Sequence, residues 1–227
     1  MVVGADTIIE SHVVIKGPTT IGARNHIFQF SSIGEATPDL KYHGEPTTLT
    51  IGDDNVIRES VTIHRGTVQD RGDTFIGNSN LIMCYVHIGH DSIVRNNTIL
   101  VNNTALAGHV VVDDYAILSG YTLVHQFCKI GAHSFSGMGT AIGKDVPAYV
   151  TVSGSPAEAR TINAEGLRRR GFSEATLSDL RRAFKLIYRQ GLTLDVAIER
   201  LATMSTETPE ILPLLESLEA SERGIVR

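Results

Sequence analysis

Aliphatic residues recur at every sixth position through roughly the first two thirds of the chain. Three such series run from 3 to 33, from 51 to 63 and from 76 to 142, and 20 of their 21 positions carry Ile, Leu or Val, the exception being Ser136. Because hydrophobic residues make up 42% of the chain, chance would fill fewer than half of these positions. A helix repeats every 3.6 residues and an amphipathic strand every 2. A period of six instead predicts a triangular coil of three short strands, with aliphatic side chains inside and successive coils about 4.8 Å apart.

Two polar segments, 35–50 and 66–75, interrupt this repeat. Eight of the hexads begin with an aliphatic–glycine pair, and we expect the glycine to let a strand end turn through a strained corner. Loops on a rigid scaffold often carry recognition groups, although either segment could be an ordinary surface excursion. The first segment is the candidate for recognition.

The periodicity becomes helical after Pro156, which predicts a coil domain at 1–156 and a helical domain at 157–227. Residues 173–190 are expected to form a helix that begins after Ser173 as its N-cap and ends at Gly191. Two more helices are predicted at 193–204 and 209–220. The apolar stripe of the first of these three helices consists of Leu177, Leu180, Phe184 and Ile187. The third helix should be capped by Thr208, with Pro209 in its first position.

The 18-residue coil allows stacked residues to be calculated, because position n lies beside n+18 on the next coil. His90, Gly108 and Gln126 fall in one such column, about 4.8 Å apart. A histidine suits general-base catalysis on a hydroxyl, and a glycine N–H can stabilise the oxyanion of an acyl-transfer intermediate. Asp91 could orient the imidazole of His90, provided that a corner turns both side chains to one side. A His–Asp pair that is merely part of the polar outer surface remains the alternative.

Composition and charge exclude several classes of protein. The net charge of -5 argues against a nucleic-acid-binding protein, which needs a basic surface to displace counterions. The two cysteines, Cys84 and Cys128, are too few for a disulfide framework, so we expect free thiols in a reducing compartment. The chain has no run of about 18 apolar residues, and its beginning lacks the basic and apolar regions of a secretory signal. We therefore expect a cytoplasmic protein without an integral membrane segment.

Neither a metal site nor a cofactor is expected. Trimeric hexapeptide-repeat carbonic anhydrases bind zinc through histidines two coils apart, and no two of the nine histidines here are 36 residues apart. The basic run 168–170, preceded by Asn163 and Glu165, could clamp a diphosphate, although a short basic run is usually a solvated surface.

Several segments together resemble a known enzyme family. They are IFQFSSIGE, PDLKYHGEPT, IRESVTIHRGTVQ, HIGHD, NNTALAGHV, VHQFCKIGAH and EGLRRRGF. In this order they are similar to acyl-[acyl-carrier-protein]:UDP-N-acetylglucosamine O-acyltransferases, which catalyse the first step of lipid A biosynthesis. The resemblance implies a left-handed parallel β-helix followed by a small α-helical domain, an exception to the usual right-handed crossover.

The resemblance also implies roles for individual residues. His90 would be the general base, Asp91 its partner and Gly108 the oxyanion-hole residue. The implied substrate-binding residues in the coil domain are Asp39, Lys41, His87, His109, His125 and Gln126. Those in the helical domain, which would contact the nucleotide and its phosphates, are Asn163, Glu165, Arg169 and Arg170.

The implied reaction has two substrates and an oligomeric enzyme. The donor would be an (R)-3-hydroxyacyl chain on acyl carrier protein, the acceptor would be UDP-N-acetylglucosamine, and a homotrimer would form its active sites between adjacent subunits. Acyl carrier protein is acidic, so we expect it to dock on a basic patch at 168–170 or 181–182.

Two features depart from the family pattern. Family members begin with roughly two further coils, whereas this chain starts inside the repeat at Val2 and Val3; we expect activity to survive and an uncovered first coil to cost stability. Met138 stands where some relatives have glycine. Its side chain should shorten the acyl pocket, which favours a donor of about ten carbons because each methylene contributes ~0.8 kcal/mol of burial.

Three other functions remain open at this point, of which a carbonic anhydrase is the least favoured and would be distinguished by its metal content. The first is the sister N-acyltransferase, which acylates O-acylated UDP-glucosamine on the same kind of coil. The second is a non-catalytic solenoid scaffold, for which the column of His90, Gly108 and Gln126 would be coincidence.

Overall fold

The computed structural model describes all 227 residues, Met1–Arg227. The larger part is a solenoid of three sheets, and each coil contributes one short strand to each sheet. The strands pair in parallel, except for the last two, which pair antiparallel. The predicted fold class is confirmed: the chain is a left-handed parallel β-helix followed by a small helical part. No helix combines the length and the apolar character needed to cross a bilayer.

The strands are numbered along the chain and grouped here by sheet. The first sheet contains β1 (Val2–Val3), β4 (Thr19–Ile21), β7 (Thr48–Ile51), β10 (Asp73–Ile76), β13 (Ile93–Val94), β16 (Val111–Val112) and β19 (Lys129–Ile130). The second contains β2 (Ile8–Ile9), β5 (His26–Ile27), β8 (Val56–Ile57), β11 (Leu81–Ile82), β14 (Ile99–Leu100), β17 (Ile117–Leu118), β20 (Phe135–Ser136), β22 (Val150–Ser153) and β23 (Glu158–Ile162). The third contains β3 (Val14–Ile15), β6 (Ser32–Glu35), β9 (Thr62–His64), β12 (His87–Ile88), β15 (Ala105–Leu106), β18 (Leu123–Val124) and β21 (Ala141–Ile142).

Most neighbouring coils without an intervening loop keep a register of 18 residues, so that His87 pairs with Ala105 and Ala105 with Leu123, and the last coil shortens it to 16 between Phe135 and Thr151. The register widens to 30 residues between Ile21 and Ile51, and to 25 between Ile51 and Ile76. The two interruptions of the repeat are therefore loops that leave the solenoid, after β6 and after β9, and return in phase. We call the stretch 36–47 the first excursion and 65–72 the second.

The interior is a column of aliphatic side chains, as the six-residue period predicts. Most inward positions from Ile21 onward are essentially inaccessible to solvent, and each such residue contributes about 1.5–3 kcal/mol of hydrophobic stabilisation. In the first coil Val3 and Ile9 are 39% and 40% exposed, so burial is complete only from the second coil. Ser136, the polar exception, is fully buried because its hydroxyl bonds to Ser119 N and Thr122 Oγ1.

We predicted that the glycines at strand ends adopt a strained corner conformation, and this prediction is wrong for most of them. The left-handed conformation falls instead on a later corner residue, which is usually not glycine, for example Arg24 (φ 55°) and Asp54 (φ 59°). Gly52 is required because the next coil approaches closely: a Cβ there would lie 2.8 Å from the carbonyl oxygen of Gly77.

The helical part contains α1 (Ala164–Arg169), α2 (Glu174–Tyr188), α3 (Leu194–Glu207), a 3-10 turn (Pro209–Ile211) and α4 (Leu212–Glu219). Ser173 caps α2 as predicted, accepting from Thr176 N, and its apolar stripe is buried. The side chain of Thr208 accepts no capping hydrogen bond, and Pro209 opens the 3-10 turn, so the last helix begins later than predicted. Strand β23 continues the second sheet beyond Pro156, and the domain boundary at that residue stays a prediction.

Candidate active site

A corner between β12 and β13 brings a histidine and a carboxylate together. Asp91 adopts the left-handed conformation (φ 58°), which turns its side chain to the same side as that of His90. The Nδ1 atom of His90 lies 2.8 Å from Oδ2 of Asp91. Because an ionised carboxylate only accepts hydrogen bonds, Nδ1 must donate, and in the neutral ring Nε2 is left free to accept a proton. The corner therefore presents a histidine in the tautomer of a general base.

Asp91 is held in its ionised form inside the protein. Its side chain is inaccessible to solvent, and it accepts hydrogen bonds from Thr67 N at 2.8 Å and from Thr67 Oγ1 at 2.7 Å. Burial acts to raise the pKa of Asp91, but the hydrogen bonds from His90 and Thr67 outweigh it, and the pKa lies below its ordinary value. A fixed negative charge thus lies behind the His90 ring.

Gly108 lies beside His90 on the next coil. A Cβ at Gly108 would be 2.6 Å from both Cε1 and Nε2 of His90, so the imidazole occupies the space that a side chain would take. The N–H of Gly108 donates to no group of the chain. Gln126, one coil further on, is exposed, and its carbonyl oxygen lies 3.1 Å from Nδ1 of His125. A free backbone donor next to a basic nitrogen suits acyl transfer.

Two more histidines lie close to this corner. His109 stacks on Phe127, with ring centroids 4.3 Å apart, and its edge faces His90 at 4.9 Å. His87 bonds through Nδ1 to Thr62 Oγ1 at 2.8 Å. Burial, followed by repulsion from His90, lowers the pKa of His87, so this ring is neutral at physiological pH.

The first excursion carries Asp39 and Lys41 on a short turn. The Oδ1 atom of Asp39 accepts from Lys41 N at 2.9 Å, and the side chain of Lys41 is exposed without a partner. No hydrogen bond joins either side chain to the histidine corner.

Helix α1 lines a groove on the second sheet. The groove has a volume of about 520 Å³, and its walls include Phe135, Asn163, Glu165 and Arg169. Asn163 caps the helix by accepting from Gly166 N and also donates to the carbonyl of His133 at 3.0 Å. Glu165 pairs with Arg169 at 3.0 Å, and both are exposed.

Arg170 lies elsewhere, away from the lining of this groove. Its guanidinium is 4.8 Å above the ring of Tyr115, and burial lowers its pKa. Its Nη1 atom is buried without a hydrogen-bond partner. Tyr115, His133 and Tyr149 stack along one corner of the solenoid at this point.

The predicted site residues therefore fall into separate groups within one chain. The histidine corner lies between the third and first sheets, whereas the α1 groove lies on the second sheet. Met138 is at the corner between β20 and β21 and is 82% exposed. These groups lie on different sides of the solenoid.

Three residues that contact the predicted site residues were not themselves predicted from the sequence. Thr67 and Asp70 are in the second excursion, where the column calculation does not apply. His64 lies next to His87, with ring centroids 5.0 Å apart, and its Nδ1 is buried without a partner. Burial, then repulsion from His87, lowers the pKa of His64 to about 4. The 25-residue register between Thr62 and His87 would have located His64 had the loop length been known.

Ligand-type atoms of His90, Asp91 and His109 lie within 4.8 Å of one another, a spacing that could hold a metal ion. The sequence criterion, two histidines 36 residues apart, could not detect this set, because His90 and His109 lie on neighbouring coils. The Asp91 carboxylate is already occupied by hydrogen bonds from Thr67 and His90, which satisfy it without a metal. The absence of a metal stays a prediction.

Comparison with known proteins identifies the family. A family model described as "Udp N-acetylglucosamine O-acyltransferase; Domain 2" matches residues 145–226. The acyl-[acyl-carrier-protein]–UDP-N-acetylglucosamine O-acyltransferase of Stutzerimonas stutzeri is 68% identical over 93% of this chain and 82% of its own length. The enzyme of the same name from Saccharophagus degradans is 67% identical over 99% of this chain and 87% of its own length. The chain belongs to this family of UDP-N-acetylglucosamine O-acyltransferases.

Solved structures of family members match the whole fold. The UDP-N-acetylglucosamine O-acyltransferase (LpxA) of Moraxella catarrhalis has a TM-score of 0.98 at 49% identity, and LpxA of Acinetobacter baumannii has 0.98 at 51%. Each match covers 99% of this chain and 88% of the solved chain. The UDP-N-acetylglucosamine O-acyltransferase fold thus includes the helical part as well as the solenoid.

Proposed function

We propose that the chain transfers an (R)-3-hydroxyacyl group from acyl carrier protein to the 3-hydroxyl of UDP-N-acetylglucosamine, the first step of lipid A biosynthesis. One observation carries the proposal. His90 is bonded through Nδ1 to a buried carboxylate and lies beside the unpaired N–H of Gly108. The names of the relatives supply the donor and the acceptor.

In the proposed mechanism, Nε2 of His90 removes the proton from the sugar hydroxyl as its oxygen attacks the thioester carbonyl carbon. The carbonyl oxygen becomes an oxyanion that accepts the N–H of Gly108, and the negative charge of Asp91 stabilises the imidazolium. When the carbon–sulfur bond breaks, the departing carrier thiolate takes the proton from His90. The products are the ester and the free thiol, and the reaction needs no cofactor.

The same proposal assigns the binding residues. Asp39, Lys41, His87, His109, His125 and Gln126 would surround the acceptor sugar and the reacting groups. Asn163, Glu165, Arg169 and Arg170 would contact the nucleotide and its phosphates through charge-assisted hydrogen bonds. For Arg170, the buried unpaired Nη1 atom is a donor available to a phosphate oxygen.

We propose a homotrimer with active sites between adjacent subunits. The histidine corner and the α1 groove lie on different sides of one solenoid, so a substrate that uses both requires a second copy of the chain. The exposure of Met138 supports the same arrangement, since an acyl pocket that ends at this side chain needs another wall. We further propose a donor of about ten carbons, because Met138 would shorten the pocket.

We propose that the carrier docks on a basic patch, at 168–170 or at 181–182. Arg168 and Arg169 are paired with Glu174 and Glu165, and Arg182 is paired with Asp179. Acidic groups of the carrier would have to compete with these exposed pairs, which are individually weak. Since the proposed donor is a cytoplasmic protein, we place the reaction in the cytoplasm.

The deciding experiment incubates the protein with 3-hydroxydecanoyl-acyl carrier protein and UDP-N-acetylglucosamine and follows O-acylated product by mass spectrometry. The wild type should form product, and His90→Ala should lose activity by a factor of about 10² to 10⁴. Product formed only with O-acylated UDP-glucosamine as acceptor would indicate the sister N-acyltransferase instead. Activity of His90→Ala equal to that of the wild type would refute the assignment of the base.

A further inference from the structure

The second excursion folds back over the histidine corner. Thr67 is buried beneath the corner, and its N–H and hydroxyl both donate to the Asp91 carboxylate. At the tip of the same loop, Oδ2 of Asp70 lies 2.7 Å from Nδ1 of His109. One loop outside the repeat thus contacts both Asp91, the partner of His90, and His109.

The loop is itself firmly attached to the solenoid. Gly66 N donates to Thr48 O at 3.1 Å, and Gly72 N donates back to Thr67 O at 3.0 Å, which closes the turn. A Cβ at Gly66 would overlap the backbone of Asp73, so the two ends of the loop are packed together. Thr67 therefore reaches Asp91 from a fixed backbone position.

The contact with Asp70 determines the orientation of the His109 ring. The ionised carboxylate of Asp70 can only accept a hydrogen bond, so Nδ1 of His109 must carry a proton and donate it in this bond. With Nδ1 held and one face stacked on Phe127, the Nε2 edge turns toward Asp91, whose Oδ2 lies 4.0 Å away. The side chain of His109 is only 13% exposed, whereas that of Asp70 is 41% exposed, so the loop residue also shields the ring from solvent.

We propose that Thr67 and Asp70 are positioning residues of the acyl-transfer site: Thr67 fixes Asp91 behind the general base, and Asp70 fixes the ring of His109, a proposed substrate-binding residue, with its Nε2 edge toward Asp91. The proposal rests on the function proposed above. The role of the second excursion would thus be to position the carboxylate of Asp91 and the ring of His109. Each residue acts through one partner, so each effect should disappear when that partner is removed.

For Asp70 the test is a double-mutant cycle with His109. Asp70→Ala should raise the KM for UDP-N-acetylglucosamine about tenfold with little change in kcat, because a mispositioned His109 contacts the sugar poorly. In a His109→Ala background the same substitution should have no further effect. Gln69→Ala is the matched control, since Gln69 is the exposed neighbour on the loop and makes no hydrogen bond. An Asp70→Ala effect that persists in full without His109, or that equals that of Gln69→Ala, overturns the assignment.

For Thr67 the test compares a substitution that keeps the hydroxyl group with one that keeps the branched shape of the side chain. Thr67→Ser keeps the hydroxyl donor and should retain kcat within about twofold, whereas Thr67→Val should lower kcat about tenfold with KM unchanged. Asp91 would then stabilise the imidazolium less well while ground-state binding is preserved. Equal kcat values for Ser and Val at this position would contradict the role of the hydroxyl. Thermal melting of each variant identifies any that do not fold.

A readout independent of turnover separates this proposal from the proposed function. In protein labelled with ¹⁵N-histidine, the His109 resonances, assigned with a His109→Gln variant, should show the Nδ1–H form in the wild type and a mixture of tautomers in Asp70→Ala. Unchanged tautomers would overturn the positioning role even if acyl transfer is found. If the wild type and Gln69→Ala transfer no acyl group, the proposed function fails, and the tautomer measurement still decides the contact.

Discussion

The imidazole of His90 occupies the space in which Gly108 would otherwise carry a side chain. A Cβ at Gly108 would lie 2.6 Å from Cε1 and from Nε2 of that ring, well inside van der Waals contact. The same glycine has a backbone N–H without a partner. One residue thus provides both the space for the base and a donor beside it, because the 18-residue register places the two in neighbouring coils.

Substitution of Gly108 by alanine should therefore abolish most of the acyl-transfer activity. The added methyl group must displace the His90 ring or the backbone, and either movement separates the base from the oxyanion donor, with an expected loss of kcat of about 10² or more. Gly143→Ala is the control, because no atom lies within 4 Å of a Cβ at that position and its φ is not in the left-handed region. Initial rates with a 3-hydroxyacyl carrier donor measure both variants. Near-normal turnover by Gly108→Ala would show that the contact is unimportant.

The part of the site that lies in uninterrupted coils could be predicted from the sequence. A repeat of 18 residues in a parallel solenoid fixes which residues are neighbours, and this was sufficient to place Gly108 beside His90. The orientation of Asp91 depends on the left-handed conformation of its corner. The periodicity showed that such a corner was needed but not that Asp91 adopts it. Helix α2 was predictable because its cap, Ser173, and its apolar stripe are local features.

The conformations of the two loops were not predictable, because they depend on contacts that produce no repeating pattern in the sequence. The register of 25 residues between Thr62 and His87 includes seven residues beyond the 18-residue coil, and nothing in the pattern states where those residues fold. Thr67 and Asp70 could be located only in the structure. Buried polar side chains inside the coil, such as Asn55 and Asn80, were missed for a related reason. Each satisfies backbone groups of an adjacent coil, a requirement that a hydrophobic pattern does not record.

Removal of the Met138 side chain should extend the range of acyl donors. Met138→Gly should raise kcat/KM for donors longer than about ten carbons, since each methylene that can be buried contributes ~0.8 kcal/mol, about fourfold. Met138→Leu, which keeps a similar volume, should retain the wild-type preference. The measurement is kcat/KM for a series of 3-hydroxyacyl carriers of increasing length. Rejection of longer donors by Met138→Gly would remove this side chain as the determinant of length.

Asn163 and Arg169 should differ in how their loss affects stability and binding. Asn163 caps α1 and donates to His133 O, so Asn163→Ala should cost about 1 kcal/mol of stability and also raise the KM for the sugar nucleotide. The side chain of Arg169 is 77% exposed, so Arg169→Ala should leave stability within ~0.5 kcal/mol while the KM rises. Denaturant unfolding and steady-state kinetics on both variants separate the two effects. A KM unchanged in Arg169→Ala would exclude this side chain from nucleotide binding.

Acidification should destabilise the fold through His133. Burial, followed by repulsion from Arg170, lowers the pKa of His133 to about 4, whereas its value in the unfolded chain is near 6.5. Between these two values the unfolded chain binds a proton that the folded chain does not, so stability falls as the pH decreases through this window. The slope is at most about 1.4 kcal/mol per pH unit for one histidine. Asp91, whose folded pKa lies below 3.8, contributes a loss only at lower pH, because its stabilising charge persists until the pH falls through that value.

The variant that tests this is His133→Phe, which keeps an aromatic ring between Tyr115 and Tyr149 but cannot titrate. Phenylalanine is compatible with the left-handed corner, since Phe30 and Phe127 both have φ of 66° at similar corners. Denaturant unfolding at fixed protein concentration, from neutral pH to about pH 4, should show a shallower decline in stability for this variant than for the wild type. His12→Phe, at an exposed corner of the first coil, is the matched control for the exchange of histidine for phenylalanine itself. A slope for His133→Phe equal to that of the wild type would mean that His133 does not couple protonation to folding. The acid sensitivity would then be assigned to the other two rings whose pKa burial lowers, His64 and His87.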